Sequence, residues 1–311
     1  MLERVRFGRT ELLVSPAGLG CGGSSRLGMA TGGDERTAER VLRQGIDLGI
    51  NFFDTARVYG TEEVVGRAVA GSRQDVVISS KTMFRRHDAY MAAEELVNSL
   101  EKSLKRLKSD YVDVFSLHGV TDNHLDYCLE EYVPELERQR ALGKIRYLGI
   151  TESFAQEPQH DMLIRAIPSG CFDVVMVGFN LLNSVAREQV FQAAIEHDVA
   201  IQVMHAVRRA LSNPARLRET VAELIKRGEV DPAVVDLDDP LGFLESAGES
   251  VIDIAYRYCR HEPGVSVVLT GTGSTEHLAQ NVAAISGPQI PDGLLRQLDL
   301  AFGQVCSTSA D

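Results

Sequence analysis

Short apolar runs alternate along this chain with longer stretches whose apolar residues recur at helical spacing. Runs such as 76–78 and 112–115 are rich in β-branched residues and apolar on both faces, which is typical of strands shielded on both sides. The candidate strands are 16–20, 50–53, 76–80, 112–116, 146–150, 173–178, 199–204 and 266–270. The candidate helices are 35–48, 62–70, 88–107, 127–142, 158–167, 184–197, 214–227, 246–261, 276–286 and 292–303. Eight strand–helix units predict an α/β fold, a (β/α)8 TIM barrel, with an open doubly wound sheet as the alternative.

The residues before the first candidate barrel strand have the pattern of an antiparallel β-hairpin. Residues 5–7 and 12–14 suit two short strands, and the turn between them carries Gly8. We expect this N-terminal hairpin to close the barrel bottom. The sequence also predicts where one helix begins. The carboxylate of Asp34 can accept hydrogen bonds from the free N–H groups at the start of the helix 35–48.

A long segment, 205–245, separates the last two candidate strands. It carries three prolines and the acidic run 236–239, and we expect it to form a partly irregular cover over the site. No low-complexity tract or linker interrupts the chain, so we expect a single domain over residues 1–311.

An acidic composition narrows the classes of partner. The 311 residues have a formal net charge of −12, whereas nucleic-acid binding needs clustered Lys and Arg, so we expect no nucleic-acid partner. No apolar run approaches the ~20 residues that span a bilayer, and the first residues lack the apolar core of a signal peptide. The five cysteines are scattered without a Cys-x-x-Cys pair, which argues against a metal site or a disulfide framework. We expect a cytoplasmic protein without a membrane partner, either a monomer or a small homo-oligomer.

Four polar residues stand where candidate strands end or just beyond. Asp54 follows the second candidate strand, Lys81 the third and His118 the fourth, and Tyr59 lies in the loop after Asp54. Because catalytic groups of such barrels lie at the C-terminal ends of the strands, we expect these four side chains to converge.

Together these groups suit the reduction of a carbonyl. A hydride delivered to a carbonyl carbon creates an oxyanion that needs a proton, and the phenol of Tyr59 can supply it. The ammonium of Lys81 would lower the pKa of that phenol, and the carboxylate of Asp54 would keep Lys81 charged. His118 can donate a hydrogen bond that orients the carbonyl. From the residues alone, a structural Asp54–Lys81 ion pair with Tyr59 as a packed aromatic is equally compatible.

At these positions the chain resembles the aldo-keto reductase family. The resemblance rests on the motif at 54–60, on Ser-Lys at 80–81 and on Leu-His-Gly at 117–119, and it extends over about residues 3–303. It implies a (β/α)8 barrel, NADPH or NADH as cofactor, and reversible reduction of aldehydes or ketones. It also implies that Tyr59 is the acid/base, that Lys81 and Asp54 tune it, and that His118 orients the substrate.

The cofactor is expected to lie along the strand ends. The glycines at 18–23 formally match G-x-G-x-x-G, but no helix pattern follows directly, so the match is weak. The loop 270–281 opens a helix and suits a phosphate cradle, and it resembles the family's adenosine-phosphate loop. The cofactor-binding candidates are Gly22, Asp54, Thr151, Met176, Met204, Ala206, Val207, Arg208, Gly271, Thr272, Gly273, Ser274, His277, Gln280 and Asn281.

Several positions depart from the family's pattern. Thr151 and Glu152 stand where the family usually has Ser-Asn, Met176 replaces Gln, and Met204 replaces the aromatic residue that stacks on the nicotinamide. The strand-eight loop lacks the Lys or Arg that many NADPH-preferring members carry. The preference between NADPH and NADH is therefore open, and either Arg208 or Arg209 could contact a cofactor phosphate.

The substrate is only weakly encoded. Arg26, Arg57, Phe84 and Arg85 are expected near the barrel mouth, and with Arg86 and His124 they suggest an anionic or polyhydroxylated small molecule. We expect a small-molecule carbonyl or polyol substrate. The alternatives are an NAD-dependent sugar or polyol dehydrogenase of the same family and a non-catalytic, nucleotide-binding regulatory subunit.

Overall fold

The fold is that of a computed structural model, which describes residues 2–311. In chain order the strands are β1 (Val5–Arg6), β2 (Leu13–Val14), β3 (Ala17–Gly20), β4 (Phe52–Asp54), β5 (Val77–Thr82), β6 (Arg85–Arg86), β7 (Ala89–Tyr90), β8 (Val112–Val120), β9 (Ile145–Glu152), β10 (Val174–Gly178), β11 (Ala200–Met204) and β12 (Val265–Thr270). The helices are α1 (Glu35–Asp47), α2 (Glu62–Ala68), α3 (Ala93–Leu107), α4 (Asp122–Tyr127), α5 (Val133–Ala141), α6 (Asp161–Ala166), α7 (Val190–Glu196), α8 (Arg209–Ser212), α9 (Pro214–Lys226), α10 (Gly242–Ser246), α11 (Val251–Arg260), α12 (Thr275–Ile285) and α13 (Asp292–Phe302).

Eight parallel strands close into a barrel in the order β3-β4-β5-β8-β9-β10-β11-β12. Each of them overlaps one candidate strand, so the predicted barrel is confirmed and the open sheet is wrong. The closure follows from the sequence, because the strands are buried on both faces and have no solvent-facing side to expose at an edge. Parallel closure places all eight C-terminal strand ends at one mouth.

Helices cover the outside of the barrel through one apolar face each. In α1, Val41 and Leu42 are buried, while Glu39 and Arg43 form an ion pair on the outer face. The predicted N-cap is confirmed, since the carboxylate of Asp34 accepts a 2.8 Å hydrogen bond from the backbone N–H of Thr37. In the part of the chain that the structure describes, no helix has both the length and the hydropathy to cross a membrane.

The N-terminal hairpin closes the bottom of the barrel, as predicted. Strands β1 and β2 pair antiparallel, and Phe7, which follows β1, is fully buried with its ring edge-on to Phe52 at a centroid distance of 5.3 Å. Arg9 in the turn fixes the hairpin to the barrel through a 2.9 Å bond to the carboxylate of Asp173. The hairpin therefore seals the end of the barrel opposite the mouth.

Several helix predictions need correction. Those over 158–167, 184–197 and 246–261 start too early, since α6 begins at Asp161, α7 at Val190 and α11 at Val251. Residues 88–92 are not helical, because β6 and β7 form a small hairpin and α3 begins only at Ala93. The ring of Tyr90 stacks on that of Tyr127 at 3.7 Å and its hydroxyl lies 2.8 Å from His124 Nδ1, so tertiary contacts override the local helical pattern. The helix predicted over 127–142 begins earlier, with α4, and continues through a π-helical turn over 128–132 into α5.

The tight packing of the hairpin turn generates a first prediction. Gly8 has φ +53° and lies so close to β11 that a Cβ atom would stand 2.3 Å from the backbone nitrogen of Ala200. We expect Gly8→Ala to lower the free energy of unfolding by about 2–4 kcal/mol through left-handed strain plus steric overlap. Gly143→Ala is the matched control, since Gly143 has φ +78° with open space around it and should cost only about 1 kcal/mol. Denaturant unfolding of both variants measures the difference, and equal losses would contradict the packing argument.

Candidate active site

A buried ion pair lies at the C-terminal ends of two neighbouring strands. Strand β4 ends at Asp54 and β5 carries Lys81, and the two strands pair so that Asp54 stands opposite Ser79. The Lys81 ammonium donates to Asp54 Oδ2 at 2.6 Å and to the carbonyl oxygen of Thr55 at 2.9 Å. Asp54 and Lys81 are 3% and 1% exposed, so the charges are almost fully removed from water and depend on these partners.

Two further donors complete the shell of Asp54. Its Oδ1 accepts from the hydroxyl of Ser79 at 3.1 Å and from the side-chain amide of Gln202 at 3.0 Å. Gln202 lies on β11, across the barrel interior from Asp54, and is 1% exposed. The sequence analysis missed Gln202, although a lone amide inside an otherwise apolar strand was a signal that could have found it.

Tyr59 stands over the ion pair on a single 3-10 turn, 57–59. The ammonium of Lys81 lies 4.9 Å from the centroid of its ring, and its hydroxyl lies 3.4 Å from His118 Nε2. Gly22 makes this position possible, because a Cβ atom there would stand 2.5 Å from the Tyr59 ring. The four residues predicted to converge therefore do so.

A second buried network holds the turn that carries Tyr59. Glu62, at the start of α2, accepts from the hydroxyl of Ser80 at 2.6 Å and from Arg106 Nε at 2.7 Å. The hydroxyls of Thr55 and Thr61 lie 2.8 Å apart across the same loop. These bonds tie both ends of the 55–62 segment to the barrel wall, so the phenol is held in a defined place.

The environment of the site sets its charge states. Burial raises the pKa of Tyr59, and the Lys81 ammonium lowers it, as expected, but offsets only part of the rise. Burial opposes the charge of Lys81, but Asp54 and Tyr59 together outweigh it and the pKa of Lys81 is raised. Burial, with the nearby Lys81 charge, lowers the pKa of His118 to about 3. At neutral pH the site thus holds a protonated phenol, an ammonium and a neutral imidazole.

A cavity of about 1330 Å³ extends from Tyr59 along the barrel mouth to α12. It is large enough for an elongated ligand. The predicted site residues that line it are Gly22, Asp54, Tyr59, Met176, Met204, Ala206, Val207, Arg208, Gly271, Thr272, His277, Gln280 and Asn281. Lys81 and His118 stand behind this surface, next to Tyr59.

Three of the cofactor-binding candidates do not line the cavity. The hydroxyl of Thr151 accepts from the backbone N–H of Gly119 at 2.8 Å, next to His118. Gly273 packs on the first loop, where a Cβ atom would stand 2.5 Å from the Cα atom of Gly28. Ser274 caps α12 by accepting from the N–H of His277. These three residues shape the site from behind.

Strand β9 ends with Thr151 and Glu152, where the family usually has Ser-Asn, and Glu152 forms a buried pair with His160. Glu152 Oε2 lies 2.8 Å from His160 Nδ1, and Oε1 accepts from the N–H of Gly178 at 2.6 Å. The ring of Phe154 stacks on that of His160. Glu152 therefore fixes β9 to β10 and to α6, and it does not line the cavity.

The four substrate candidates also lie outside the cavity lining described for residues 2–311. Phe84 is buried in an aromatic cluster with Tyr90 and His124, and Arg85 lies 2.6 Å from His124 Nε2. Arg26 and Arg57 are both exposed. A contact of these side chains with substrate stays a prediction.

Only the beginning of the segment 205–245 reaches the site. Residues 205–209 and Ser212 line the cavity, whereas the rest forms α9, α10 and a loop whose acidic run 236–239 is exposed. The expected cover over the site is therefore confined to the first residues. Among them is His205, which the sequence analysis did not select. Burial and the nearby Arg208 charge lower the pKa of His205 to about 4, so this imidazole is neutral at pH 7.

Every arginine that lines the cavity within residues 2–311 is paired with a carboxylate. Arg208 Nη2 bonds to Asp311, and Arg209 Nε lies 3.4 Å from the same carboxylate. Arg257 bonds to Glu249 at 2.7 Å and to two backbone carbonyl groups. The cavity therefore presents little unbalanced positive charge.

The far end of the cavity is built around Asn281. Its side-chain amide donates to the hydroxyl of Thr270 at 2.8 Å, and the same hydroxyl lies 2.9 Å from the hydroxyl of Tyr256. This chain fixes the orientation of the Asn281 amide and leaves its carbonyl oxygen free to accept from a ligand.

Comparison with known proteins gives one consistent result. The model of the Aldo/keto reductase family matches residues 19–299. The L-galactose dehydrogenase of Arabidopsis thaliana is 27% identical over 302 residues, which cover 92% of this chain and 88% of that protein.

Two solved structures share the fold over nearly their whole length. The holo form of an aldo-keto reductase from Bacillus halodurans has a TM-score of 0.74 at 25% identity, with all of both chains covered. An aldo-keto reductase from Klebsiella pneumoniae in complex with NADPH has a TM-score of 0.69 at 27% identity, with 96% of this chain and 94% of that chain covered.

The shell around Asp54 generates a second prediction. Gln202→Leu keeps the approximate volume but removes a hydrogen-bond donor from a buried carboxylate, so we expect the free energy of unfolding to fall by about 1.5–3 kcal/mol. Gln139→Leu is the matched control, because Gln139 is also buried but donates to Glu135 on the same helix, a carboxylate that keeps its bond to Arg138. Denaturant unfolding at neutral pH compares the two. Equal stability of Gln202→Leu and wild type would show that Asp54 does not depend on Gln202.

Proposed function

The chain belongs to the aldo/keto reductase family, and we propose that it reduces an aldehyde or ketone to an alcohol with Tyr59 as the proton donor. As a family member it is an oxidoreductase that uses a nicotinamide cofactor. The observation that carries the proposal is the assembly of Tyr59 between the buried Asp54–Lys81 pair and His118 at the mouth of the barrel. The same assembly argues against a purely regulatory nucleotide-binding role.

The proton has a defined source. The phenol of Tyr59 is protonated at neutral pH, since the ordinary pKa of a tyrosine is about 10 and burial raises it further. When an alkoxide develops on the substrate, transfer of this proton leaves a phenolate beside the Lys81 ammonium, which stabilises the new negative charge. Asp54 keeps that ammonium charged in both states.

His118 orients the carbonyl without taking part as an acid. With a pKa of about 3 its imidazole is neutral and carries one N–H group. With that hydrogen on Nε2, which lies 3.4 Å from the Tyr59 hydroxyl, the imidazole N–H and the phenolic O–H can donate to the same acceptor atom. A carbonyl oxygen about 3 Å from both would accept two hydrogen bonds, a geometry suited to developing oxyanion charge.

The cavity residues fit a nicotinamide cofactor. When bound, that cofactor supplies the hydride. Met176 and Met204 would contact the nicotinamide ring with adaptable apolar surface, Arg208 would reach a phosphate, and Gln280 and Asn281 would hold the adenine. The fit rests on the length of the cavity, on the free carbonyl oxygen of Asn281 and on Arg208, whose Nε is buried without a hydrogen-bond partner.

A second candidate function is oxidation of a sugar or polyol with NAD by the same residues in reverse. The loop Thr270–His277 offers hydroxyls and backbone N–H groups but no Lys or Arg for the 2′-phosphate of NADPH. The 27% identical L-galactose dehydrogenase is consistent with this direction. Turnover with a panel of carbonyls and NADPH, compared with a panel of sugars and NAD, separates the two candidates.

The role of Tyr59 generates a third prediction. Tyr59→Phe removes only the phenolic hydroxyl, so we expect the fold and the cofactor affinity to persist and carbonyl reduction to fall ~10²–10⁴-fold. Tyr111→Phe is the matched control, because Tyr111 packs under the guanidinium of Arg73 outside the cavity lining and should keep wild-type turnover. A wild-type rate in Tyr59→Phe would show that the proton comes from another group.

The sparse positive charge of the cavity generates a fourth prediction. We expect the dissociation constants of NADPH and NADH to differ by no more than about tenfold, because the loop Thr270–His277 lacks a cation that recognises the 2′-phosphate. The exposed carboxylate of Glu276 stands in that loop, so Glu276→Gln should tighten NADPH more than NADH. Titration followed by nicotinamide fluorescence measures both. A hundredfold preference for NADPH in the wild type would contradict this account.

A further inference from the structure

A carboxylate occupies the cationic edge of the cavity. The side chain of Asp311 pairs with Arg208 and with Arg209, both of which line the cavity. No step of the proposed reaction uses Asp311, and a carboxylate beside a site for an anionic ligand opposes binding by like-charge repulsion.

The contact is part of a built structure. Residues 305–311, which we call the strap, are held through main-chain atoms at three positions by side chains of α9 and of the segments after α9 and β10. Glu229 accepts from the N–H of Cys306 at 2.8 Å, Asn183 donates to the carbonyl of Thr308 at 2.9 Å, and Arg216 donates to the carbonyl of Asp311 at 3.0 Å. The strap thus holds the backbone of Asp311 next to Arg208.

The ion pair itself is incompletely satisfied. Arg208 Nε and Asp311 Oδ1 are both buried and have no hydrogen-bond partner within residues 2–311. A guanidinium can bind a carboxylate or a phosphate through two parallel N–H···O bonds, but here only Nη2 of Arg208 bonds to Asp311. The pair with Asp311 is therefore held by one hydrogen bond, and a phosphate that engaged both Nε and Nη2 of Arg208 would replace it with two.

We propose that Asp311 competes with a phosphate of the nicotinamide cofactor for Arg208, so that the cofactor binds by displacing this carboxylate. The inference rests on the proposed cofactor site. The backbone bonds of the strap do not involve the Asp311 carboxylate, so rotation of this side chain releases Arg208 while the strap stays in place. The Asp311 side chain is 36% exposed, so the displaced carboxylate has water within reach.

The competition lowers cofactor affinity for a charge-based reason. In the free protein both cavity arginines near the strap share one carboxylate, which offsets one of their two positive charges. A phosphate therefore gains only the difference between its own attraction to Arg208 and that of Asp311. Since both NADH and NADPH carry the pyrophosphate, the effect falls on both cofactors alike.

The test measures binding rather than turnover. Asp311→Asn removes the competing charge, so we expect NADH, NADPH and ADP each to bind about fivefold tighter, while adenosine, which has no phosphate, binds as before. The chain has no Trp, so nicotinamide fluorescence reports NADH and NADPH without interference and calorimetry reports the other two ligands. Asp299→Asn is the matched control: it makes the same change in net charge at an ion pair with Arg187 outside the cavity lining, and it should leave all affinities unchanged.

A double-mutant cycle locates the effect. In an Arg208→Ala background, Asp311→Asn should no longer tighten the cofactor, because the competed group is absent. Asp311→Glu keeps the charge, so its affinity for the cofactors should be near that of the wild type. If thermal melting shows that Asp311→Asn is unfolded, Asp311→Ser replaces it. Unchanged or weaker binding in Asp311→Asn, with normal binding in the wild type, overturns the competition and leaves the proposed function intact. Failure of the wild type to bind any of the phosphate ligands overturns both.

Discussion

The buried ion pair between Asp54 and Lys81 is the constraint on which the rest of the site depends. Two charges removed from water are tolerated only when their remaining hydrogen-bonding capacity is used. Here the carboxylate accepts from three side chains and the ammonium also donates to the backbone of Thr55. Because these partners come from β4, β5 and β11, the pair requires the barrel to be closed and in register. The chemistry and the fold are therefore specified by the same contacts.

Close backbone approaches couple the loops around this pair. Gly22 allows the first loop to touch the ring of Tyr59, and Gly273 allows the eighth loop to touch the first at Gly28. A side chain at either glycine would push a neighbouring loop away from the mouth. The proton donor and the proposed adenosine-binding loop are thus positioned by one continuous set of contacts through the first loop, rather than by independent segments.

The strands and the four central residues were predictable because their signals are local. A buried parallel strand is a short β-branched run, and a polar residue at its end stands out against it. Contacts between distant segments leave no such signal. The stacking of Tyr90 on Tyr127, which replaces predicted helix by a hairpin, and the pairing of Asp311 with Arg208 both join positions far apart in the chain. Gln202 is an intermediate case. Its polar side chain in an apolar strand is visible in the sequence, but its hydrogen bond to Asp54 is not.

The cavity has little unbalanced positive charge for two reasons. Carboxylates pair with the arginines that line it, and close packing of two loops leaves no room for a further cation. At Gly273, in the loop that lacks the Lys or Arg of many NADPH-preferring family members, the first loop packs so closely that a Cβ atom would stand 2.5 Å from its backbone. A lysine or arginine at this position would require the two loops to separate, which would also disturb the contact of Gly22 with Tyr59. In the cofactor site that we propose, cations for the phosphates would come from another element, and Arg208 and Arg209 after β11 line the cavity there. Packing at the first loop excludes a cation at Gly273. In the proposed site, the charges that affect cofactor binding therefore lie on the side of the cavity where Asp311 stands.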